Sequence, residues 1–215
     1  MASTVPEEKT PDPFIAVLIS GRGSNLQAIV DAIAAGALKA RIAIVISNIA
    51  DAPGLARARE AGIETLTIDH RSFSTRDAFE RSLADALRGR GVTLVCLAGF
   101  MRLLGPTLLA AFPDAILNIH PSLLPSFPGV DAQRQALAHG VKMTGATAHF
   151  VTADLDAGPI ILQAAVPVRD DDTVQTLSAR ILEQEHRIYP DAIGQVLAGG
   201  WRIEGRRFVT RADPG

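Results

Sequence analysis

The sequence predicts an α/β protein in which helices cover both faces of an open, mostly parallel sheet. Two observations lead to this fold class. Short runs that are apolar throughout alternate with stretches of helical periodicity along the amino-terminal half of the chain, and strands of a parallel sheet are buried on both faces, so they appear as such continuous runs. The chain also has 215 residues, 47% of them hydrophobic, which is enough for one domain with a full core.

The parallel strands are expected at the successive apolar runs. In order these are FIAVLIS (14–20), RIAIVIS (41–47), IETLTID (63–69), VTLVCLAG (92–99) and AILNI (115–119). Capping and turn residues between them indicate helices. These helices are expected at about 26–35 before Gly36, from Pro53 to Gly62, and at about 75–88, where Ser74 and Asp77 resemble a capping arrangement.

The carboxyl-terminal half combines strands with a long helix. Its expected elements are a helix that follows Asp131 and runs to about His139, the β-rich segments MTGATAHFVT (143–152) and GPIILQAAVPV (158–168), a long helix from about Thr173 to Ala198 that ends at Gly199-Gly200, and two short β-like pieces around Gly205. The two β-rich segments pair with each other as a hairpin or join the sheet as added strands. The predicted fold is therefore a Rossmann-like sheet followed by a β-rich segment and a long helix.

The chain is predicted to hold a single domain between two short terminal segments. Residues 1–13 are polar, acidic and proline-rich, and they lack the basic start and apolar stretch of a signal peptide, so a disordered tail is expected there. The domain is expected to span 14–200 and a carboxyl-terminal extension 201–215. We find no internal repeat and no interdomain linker.

The composition argues against several classes of function. The net charge is −2 with acids and bases well mixed, which does not suggest a nucleic-acid or anionic-membrane partner. No apolar run approaches the roughly 20 residues of a membrane span. The single cysteine, Cys96, lies in an apolar run, which fits a structural thiol in a reducing cytoplasm. No metal-ligand motif such as CxxC or HExxH occurs, so no catalytic metal is predicted.

The segment NIHPSLLPSFPG (118–129) carries the clearest chemical signal. Side chains alternate along a strand, so Asn118 and His120 point the same way while Ile119 points into the core. This pair lies at the carboxyl end of a strand, where ligands bind in open α/β sheets. An amide can donate to a developing oxyanion and an imidazole can move a proton. The pair therefore suggests attack on a carbonyl.

A glycine-rich loop, GRGSN (21–25), follows the first strand and opens the first helix. Such loops let the backbone approach an anion at the amino end of a helix. Leu26 stands where a dinucleotide fingerprint needs its third glycine, and Ser47-Asn48 ends the second strand where an acidic residue is expected. A phosphate monoester therefore fits better than NAD. The alternative interpretation is an ordinary tight turn in which Ser24 or Asn25 caps the helix.

A carboxylate brought to His120 would fix the imidazole ring and favour its protonated form. Asp156, in the loop segment DLDAGP (154–159), is the candidate, with Asp154 as its competitor. The alternative is that Asp156 is an ordinary turn residue, and that His120 is an ordinary hydrogen-bonded histidine. The remaining histidines give weaker signals: His70, His139, His149 and His186.

Taken together, these segments resemble the phosphoribosylglycinamide formyltransferase family. The residues that carry the likeness are GRGSN (21–25), AGFMRLL (98–104), NIHPSLLPSFPG (118–129), TGATAHFVTADLDAGPII (144–161) and EQEH (183–186). The resemblance extends from about Phe14 to near Ala198. It implies a cytoplasmic transferase of purine biosynthesis and one-carbon metabolism. The reaction implied is transfer of the formyl group of the co-substrate 10-formyltetrahydrofolate to the amino group of glycinamide ribonucleotide.

The resemblance also implies roles for individual residues. Attack by the amine gives a tetrahedral intermediate held by Asn118, His120 and Asp156, in which Asn118 donates to the oxyanion, His120 moves the proton and Asp156 holds His120. The other implied assignments are the substrate phosphate at Gly23, Ser24 and Asn25; the folate at Arg76, Met101, Arg102, Leu103, Leu104 and Asn118, with the backbone of 151–156; the substrate ribose at Glu185; and a cis peptide at Leu124-Pro125.

Three rival functions stay open. A 10-formyltetrahydrofolate hydrolase would use the same trio with water as the nucleophile, but members of that group usually carry an amino-terminal regulatory domain, and only thirteen residues precede the first strand. A methionyl-tRNA formyltransferase needs an RNA-binding domain and a basic surface. A non-catalytic folate- or nucleotide-binding module would not need the trio. The expected partners are the two small-molecule substrates, without nucleic acid or membrane, and the chain is expected to be a monomer or a homodimer.

Overall fold

The computed structural model describes residues 11–210, which form one mixed sheet with helices on both faces. The strands, in chain order, are β1 (Phe14–Ile19), β2 (Arg41–Ser47), β3 (Thr65–Thr67), β4 (Leu94–Leu97), β5 (Ile116–His120), β6 (Met143–Phe150), β7 (Ile160–Pro167), β8 (Trp201–Glu204) and β9 (Arg207–Thr210). The helices are α1 (Ser24–Ala34), α2 (Pro53–Glu60), α3 (Arg76–Arg88), α4 (Pro106–Ala111), α5 (Ala132–Ala138) and α6 (Val174–Ala198), with a 3₁₀ turn at His70–Ser72.

The sheet has the order β3-β2-β1-β4-β5-β6-β7-β9-β8. The first five strands are parallel, as their continuous apolar runs predicted. β6 pairs antiparallel with β5, and β7 pairs antiparallel with β6. The two β-rich segments are therefore both a hairpin and an extension of the sheet. The predicted α/β fold class is confirmed.

The core has two layers, one on each side of the sheet. On one side α1 and α6 pack against the strands through buried residues that include Leu26, Ile29, Ile181 and Ile193. On the other side α3 and α4 pack through residues that include Phe79, Leu83, Leu87 and Leu108. Burial of these apolar side chains supplies the main stabilising free energy of the domain. Cys96 is fully buried in the first layer, and burial raises the pKa of its thiol, so it is a structural residue.

Tyr189 of α6 ties the first layer to the strands beneath the candidate site. Its side chain is fully buried, and its hydroxyl lies 2.9 Å from the carbonyl oxygen of Leu97 and 3.2 Å from that of Leu117. A buried hydroxyl needs such a partner. The long helix is thereby anchored to β4 and β5 at the residue that precedes Asn118.

Some element boundaries differ from the sequence-based expectation. The predicted cap at Ser74 is wrong: Thr75 caps α3, and its hydroxyl accepts a hydrogen bond from the backbone N–H of Ala78 at 3.1 Å. The third strand is shorter than predicted, and α1 begins two residues earlier, at Ser24. The short helix α4 was not predicted, because its six residues give too little periodicity.

The terminal predictions are tested only in part. Residues 1–10 and 211–215 lie outside the described residues, so the disordered tail and the end of the extension stay predictions, as does the division into one domain and two terminal segments. The two β-like pieces around Gly205 form the antiparallel pair β8 and β9. Within 11–210, no helix is both long and apolar enough to cross a membrane.

Candidate active site

Asn118 and His120 lie on the same face of β5, as alternation predicted. Leu117 and Ile119, which alternate with them, are buried in the core layer beneath α6. His120 is buried and Asn118 is half-buried. Because β5 is parallel to β4, the pair lies at the carboxyl edge of the parallel strands, where loops from several elements meet.

The structure brings Asp156 to His120. The carboxylate Oδ2 of Asp156 lies 3.4 Å from Nδ1 of His120, and both side chains are more than nine-tenths buried. The same Oδ2 accepts a hydrogen bond of 2.7 Å from the backbone N–H of Gly129. On the other side of the ring, Nε2 of His120 lies 2.9 Å from the carbonyl oxygen of Phe127. A carbonyl oxygen only accepts, so Nε2 carries a proton in this arrangement.

Backbone geometry selects Asp156 over its competitor. Asp156 has a φ of 48°, in the left-handed region, and its side chain is only 9% exposed. A Cβ at Gly158 would stand 1.9 Å from the carbonyl oxygen of Phe150, so the returning chain needs a glycine there. Asp154 is exposed. The alternative that Asp156 is merely a turn residue does not account for its contact with His120.

His149, which gave only a weak signal in the sequence, is part of the site. It lies directly opposite Asn118 in the antiparallel pairing of β5 and β6, and its Nε2 lies 3.2 Å from Nδ2 of Asn118. Its Nδ1 lies 2.9 Å from the carbonyl oxygen of Phe150, and its Nε2 lies 3.7 Å from Oδ1 of Asp156. Burial lowers the pKa of His149. The neutral ring therefore donates from Nδ1 and accepts the Asn118 amide at Nε2.

The proline-rich loop after β5 is held by the hairpin. The hydroxyl of Thr147 donates to the carbonyl oxygen of Ser122 at 2.6 Å and accepts from the N–H of Leu124 at 3.1 Å. The amide of Gln163 donates to the carbonyl oxygen of Leu124 at 2.9 Å. The peptide bond between Leu124 and Pro125 is cis, as the resemblance implied. These contacts fix the loop that carries the carbonyl group facing His120.

The glycine-rich loop packs against α2, and within the described part of the chain its conformation leaves the amino end of α1 without a capping side chain. Gly23 is the N-cap of α1 with a φ of 71°, and no side chain caps that helix among the described residues. The interpretation that Ser24 or Asn25 caps the helix is therefore wrong. A Cβ at Gly23 would stand 2.7 Å from the Cα of Gly54, whose N–H donates to the carbonyl oxygen of Gly21 at 3.0 Å. Open N–H groups at this end can bind an anion.

Glu185 of α6 reaches the same loop. The side-chain amide of Asn25 donates to Oε2 of Glu185 at 2.7 Å, although the two residues are 160 positions apart. Both are buried, and burial raises the pKa of Glu185 to about 7. Beside this pair lies an open cavity of about 460 Å³, lined by Ser24, Gln27, Ala28, Asp31, Arg57 and His186.

The residues predicted for the folate lie on a separate loop at the same sheet edge. Met101 and Leu103 are 71% and 64% exposed, whereas Leu104 is buried in the second core layer. Arg102 is exposed, and Arg76 donates from Nη2 to the carbonyl oxygen of Leu103 at 2.7 Å. Met101 and Leu103 are thus free to touch a ligand, while Leu104 anchors the loop. Their role in folate binding stays a prediction.

Comparison with known proteins identifies relatives of this chain. Residues 14–193 match the protein family described as formyl transferase. The chain is 47% identical over 192 residues to phosphoribosylglycinamide formyltransferase of Escherichia coli, which covers 89% of this chain and 88% of that protein. It is 49% identical over 189 residues to the trifunctional purine biosynthetic protein adenosine-3 of Bos taurus, which covers 88% of this chain but only 19% of that protein.

Solved structures agree with this assignment. The crystal structure of glycinamide ribonucleotide transformylase 1 from Symbiobacterium toebii superposes with a TM-score of 0.91 at 57% identity, covering 93% of this chain and 94% of that one. The phosphoribosylglycinamide formyltransferase of Coxiella burnetii, solved in complex with CHES, gives a TM-score of 0.87 at 43% identity, with 92% and 93% covered.

Proposed function

The chain belongs to the formyl transferase family, and we propose that it transfers the formyl group of 10-formyltetrahydrofolate to the amino group of glycinamide ribonucleotide. The observation that carries this proposal is the contact between the Asp156 carboxylate and the His120 imidazole, 3.4 Å apart, beside Asn118. Relatives that match nearly their full length, in Escherichia coli and Haemophilus influenzae, bear the name phosphoribosylglycinamide formyltransferase.

The proposed reaction forms one C–N bond and breaks another. The neutral amine of the ribonucleotide attacks the formyl carbon, and the formyl oxygen becomes an oxyanion. Nδ2 of Asn118 has two hydrogens, one facing His149 and the other available to the oxyanion. Collapse of the intermediate expels N10 of the folate, which gains a proton as the amine loses one.

His120 is the group proposed to transfer the proton that the amine loses and N10 of the folate gains. Asp156 faces Nδ1, which leaves Nε2 as the nitrogen that turns from the Phe127 carbonyl to the substrate. A carboxylate at Nδ1 keeps the ring oriented and stabilises the imidazolium form during the reaction. His120 lies on β5 and Asp156 on the loop of residues 151–159, which joins β6 to β7. The site therefore depends on the pairing of this hairpin with β5.

The ribonucleotide is proposed to enter from the α1 side. Its phosphate would accept hydrogen bonds from backbone N–H groups at Gly23, Ser24 and Asn25, aided by the positive end of the α1 dipole. Glu185, held by Asn25, would face the hydroxyl groups of the ribose. The glycine-rich loop would bind the phosphate of the acceptor, and a hydrolase that uses water has no need of such a site. The loop therefore favours the transferase over the hydrolase.

The folate is proposed to lie along the loop that follows β4. Exposed apolar side chains of Met101 and Leu103 offer contact area for a ring system, and the half-exposed guanidinium of Arg76 offers a cation for a carboxylate. Arg102 and the backbone of 151–156 complete the proposed contacts. A cytoplasmic location and a monomeric or dimeric state belong to the same proposal.

The test is an assay of the purified protein with both substrates and with each alone. We expect formylated ribonucleotide and tetrahydrofolate to appear in equal amounts, and only when both substrates are present. Loss of the formyl group at the same rate without the ribonucleotide would show a hydrolase instead. If the formyl group is transferred neither to the ribonucleotide nor to water, the proposal is rejected.

A further inference from the structure

Glu80 is a buried carboxylate that the reaction described above does not use. It lies on α3 with a side chain only 1% exposed. Its two oxygens accept three hydrogen bonds: from Nε of Arg76 at 2.8 Å, from the backbone N–H of Gly105 at 2.5 Å and from that of Leu108 at 3.1 Å. A buried charge is tolerated when it is paired and hydrogen-bonded in this way.

Two of those donors belong to the amino end of α4. Gly105 is the N-cap of that helix and has no capping side chain of its own. Glu80 supplies the cap from another helix, and its negative charge faces the positive end of the α4 dipole. A Cβ at Gly105 would stand 2.7 Å from Oε1 of Glu80 and 2.9 Å from Nε of Arg76. A side chain at position 105 would therefore displace both groups from their present positions.

Arg76 links the same carboxylate to the loop proposed for the folate. Its Nε donates to Glu80, and its Nη2 donates to the carbonyl oxygen of Leu103. At the other end of the loop, the N–H of Met101 donates to the hydroxyl of Ser20 at 2.8 Å. The loop is thus anchored at both ends by its backbone, while Met101 and Leu103 keep their side chains exposed.

We infer that Glu80 is a positioning residue for the formyl donor: it fixes the plane of the Arg76 guanidinium and the shape of the 101–105 loop before the ligand binds. The inference rests on the proposed function, because it takes Arg76 and the loop as the folate site. Preorganisation of this kind raises affinity, because the ligand then does not have to order the loop. The ligand chemistry that fits is an apolar ring joined to a carboxylate.

Glu80→Gln tests this inference. Glutamine keeps the size of the side chain but replaces one acceptor with an NH₂ group, which then faces either the N–H of Leu108 or the donors of Arg76 and Gly105. We expect the KM for the formyl donor to rise about tenfold, while kcat changes less than about threefold and the KM for the ribonucleotide stays unchanged. A donor KM equal to that of the wild type would overturn the inference.

The matched control is Asp172→Asn. Asp172 is also a covered carboxylate, with a side chain 2% exposed; it pairs with Arg180 and lies beside the amino end of α6. Its loss should lower stability without changing either KM. If Glu80→Gln raised both KM values together, or if Asp172→Asn raised the donor KM equally, the effect would be general loosening and the inference would fail.

Gly105→Ala provides a second variant that retains the carboxylate. Its Cβ would displace the Glu80 carboxylate and the Arg76 guanidinium from their present positions, so the donor KM should also rise. If Glu80→Gln does not fold, this variant decides the matter: an unchanged donor KM in folded Gly105→Ala overturns the inference. Failure of the proposed function is distinct, since the wild-type protein would then transfer no formyl group.

Discussion

The side-chain amide of Asn118 lies 3.2 Å from Nε2 of His149, its direct neighbour across the antiparallel strands β5 and β6. The other ring nitrogen of His149 faces the carbonyl oxygen of Phe150. The ring is thereby fixed as an acceptor for Asn118, which sets the direction of the amide. An oxyanion donor is effective only if it is aimed before the charge develops.

His149→Ala should therefore lower kcat by about 10-fold to 100-fold, less than the loss of the Asn118 donor itself. The KM values should change little, because His149 is only 1% exposed and has almost no surface to offer a ligand. Steady-state kinetics with both substrates measures this split.

His149→Gln is the rescue variant, because its amide oxygen can take the place of Nε2 as an acceptor. It should recover much of the lost kcat. Equal kcat values for the alanine variant and the wild type would show that Asn118 does not need this support.

The sequence alone predicts Asn118 and His120 because strand alternation is a local property. The role of His149 depends on which residue it faces across the sheet, and that register is fixed only by the pairing of β6 with β5. The alternating pattern around it indicated a strand but not its partner. The position of His149 on the neighbouring strand, and not its local sequence, gives it this role.

The roles of Asp156 and Glu80 also depend on contacts between distant parts of the chain. Asp156 and Asp154 are indistinguishable by spacing, and only the folded structure shows that Asp156 is buried against His120 while Asp154 is exposed. Glu80 looks like an ordinary surface charge of an amphipathic helix, since acidic residues usually lie on the solvated face. Glu80 is buried because the amino end of α4 packs against it, and the sequence did not predict α4. Tertiary contacts determined these features.

His120→Ala should lower kcat by about 10²-fold to 10⁴-fold, because it removes the proposed acid–base group. Asp156→Asn should lower kcat by about 10²-fold, since its amide oxygen can still accept from Gly129 but no longer balances an imidazolium charge. Rapid-quench measurement of a single turnover isolates the chemical step. Wild-type turnover in His120→Ala would remove the assigned role.

Asp154→Asn is the matched control for Asp156→Asn. Asp154 is exposed and lies two positions earlier in the same loop, so the change in charge is the same. Its kinetics should equal those of the wild type. A comparable loss in both variants would mean that the charge of the loop, and not the contact with His120, governs the rate.

Ser24→Ala should raise the KM for the ribonucleotide about 10-fold to 100-fold and leave kcat and the donor KM nearly unchanged. A hydroxyl that donates to a phosphate is worth about 1.5–3 kcal/mol, and the open N–H groups of α1 retain part of the binding. Kinetics at varied ribonucleotide concentration measures the change. An unaltered KM would place the phosphate elsewhere.

Glu185 should make the protein less stable as the pH rises from about 4.5 to about 7. Burial raises its pKa from 4.5 to about 7 in the folded protein. Below pH 4.5 the carboxyl group is protonated in both states. Between there and about pH 7 only the unfolded chain ionises, so the free energy of unfolding falls, and above about 7 the difference is constant.

The shift in the pKa of Glu185 corresponds to a loss of about 3 kcal/mol in the free energy of unfolding. Urea unfolding at pH 5, 6 and 8 should show most of that loss in the wild type and a flatter profile in Glu185→Gln. The glutamine oxygen still accepts from Nδ2 of Asn25, and its NH₂ group can donate to the buried Oδ1 of Asn25, which has no partner in the part of the chain that the structure describes. Parallel profiles for the two proteins would mean that Glu185 is ionised in the folded state, and that the ribose would meet a carboxylate at neutral pH.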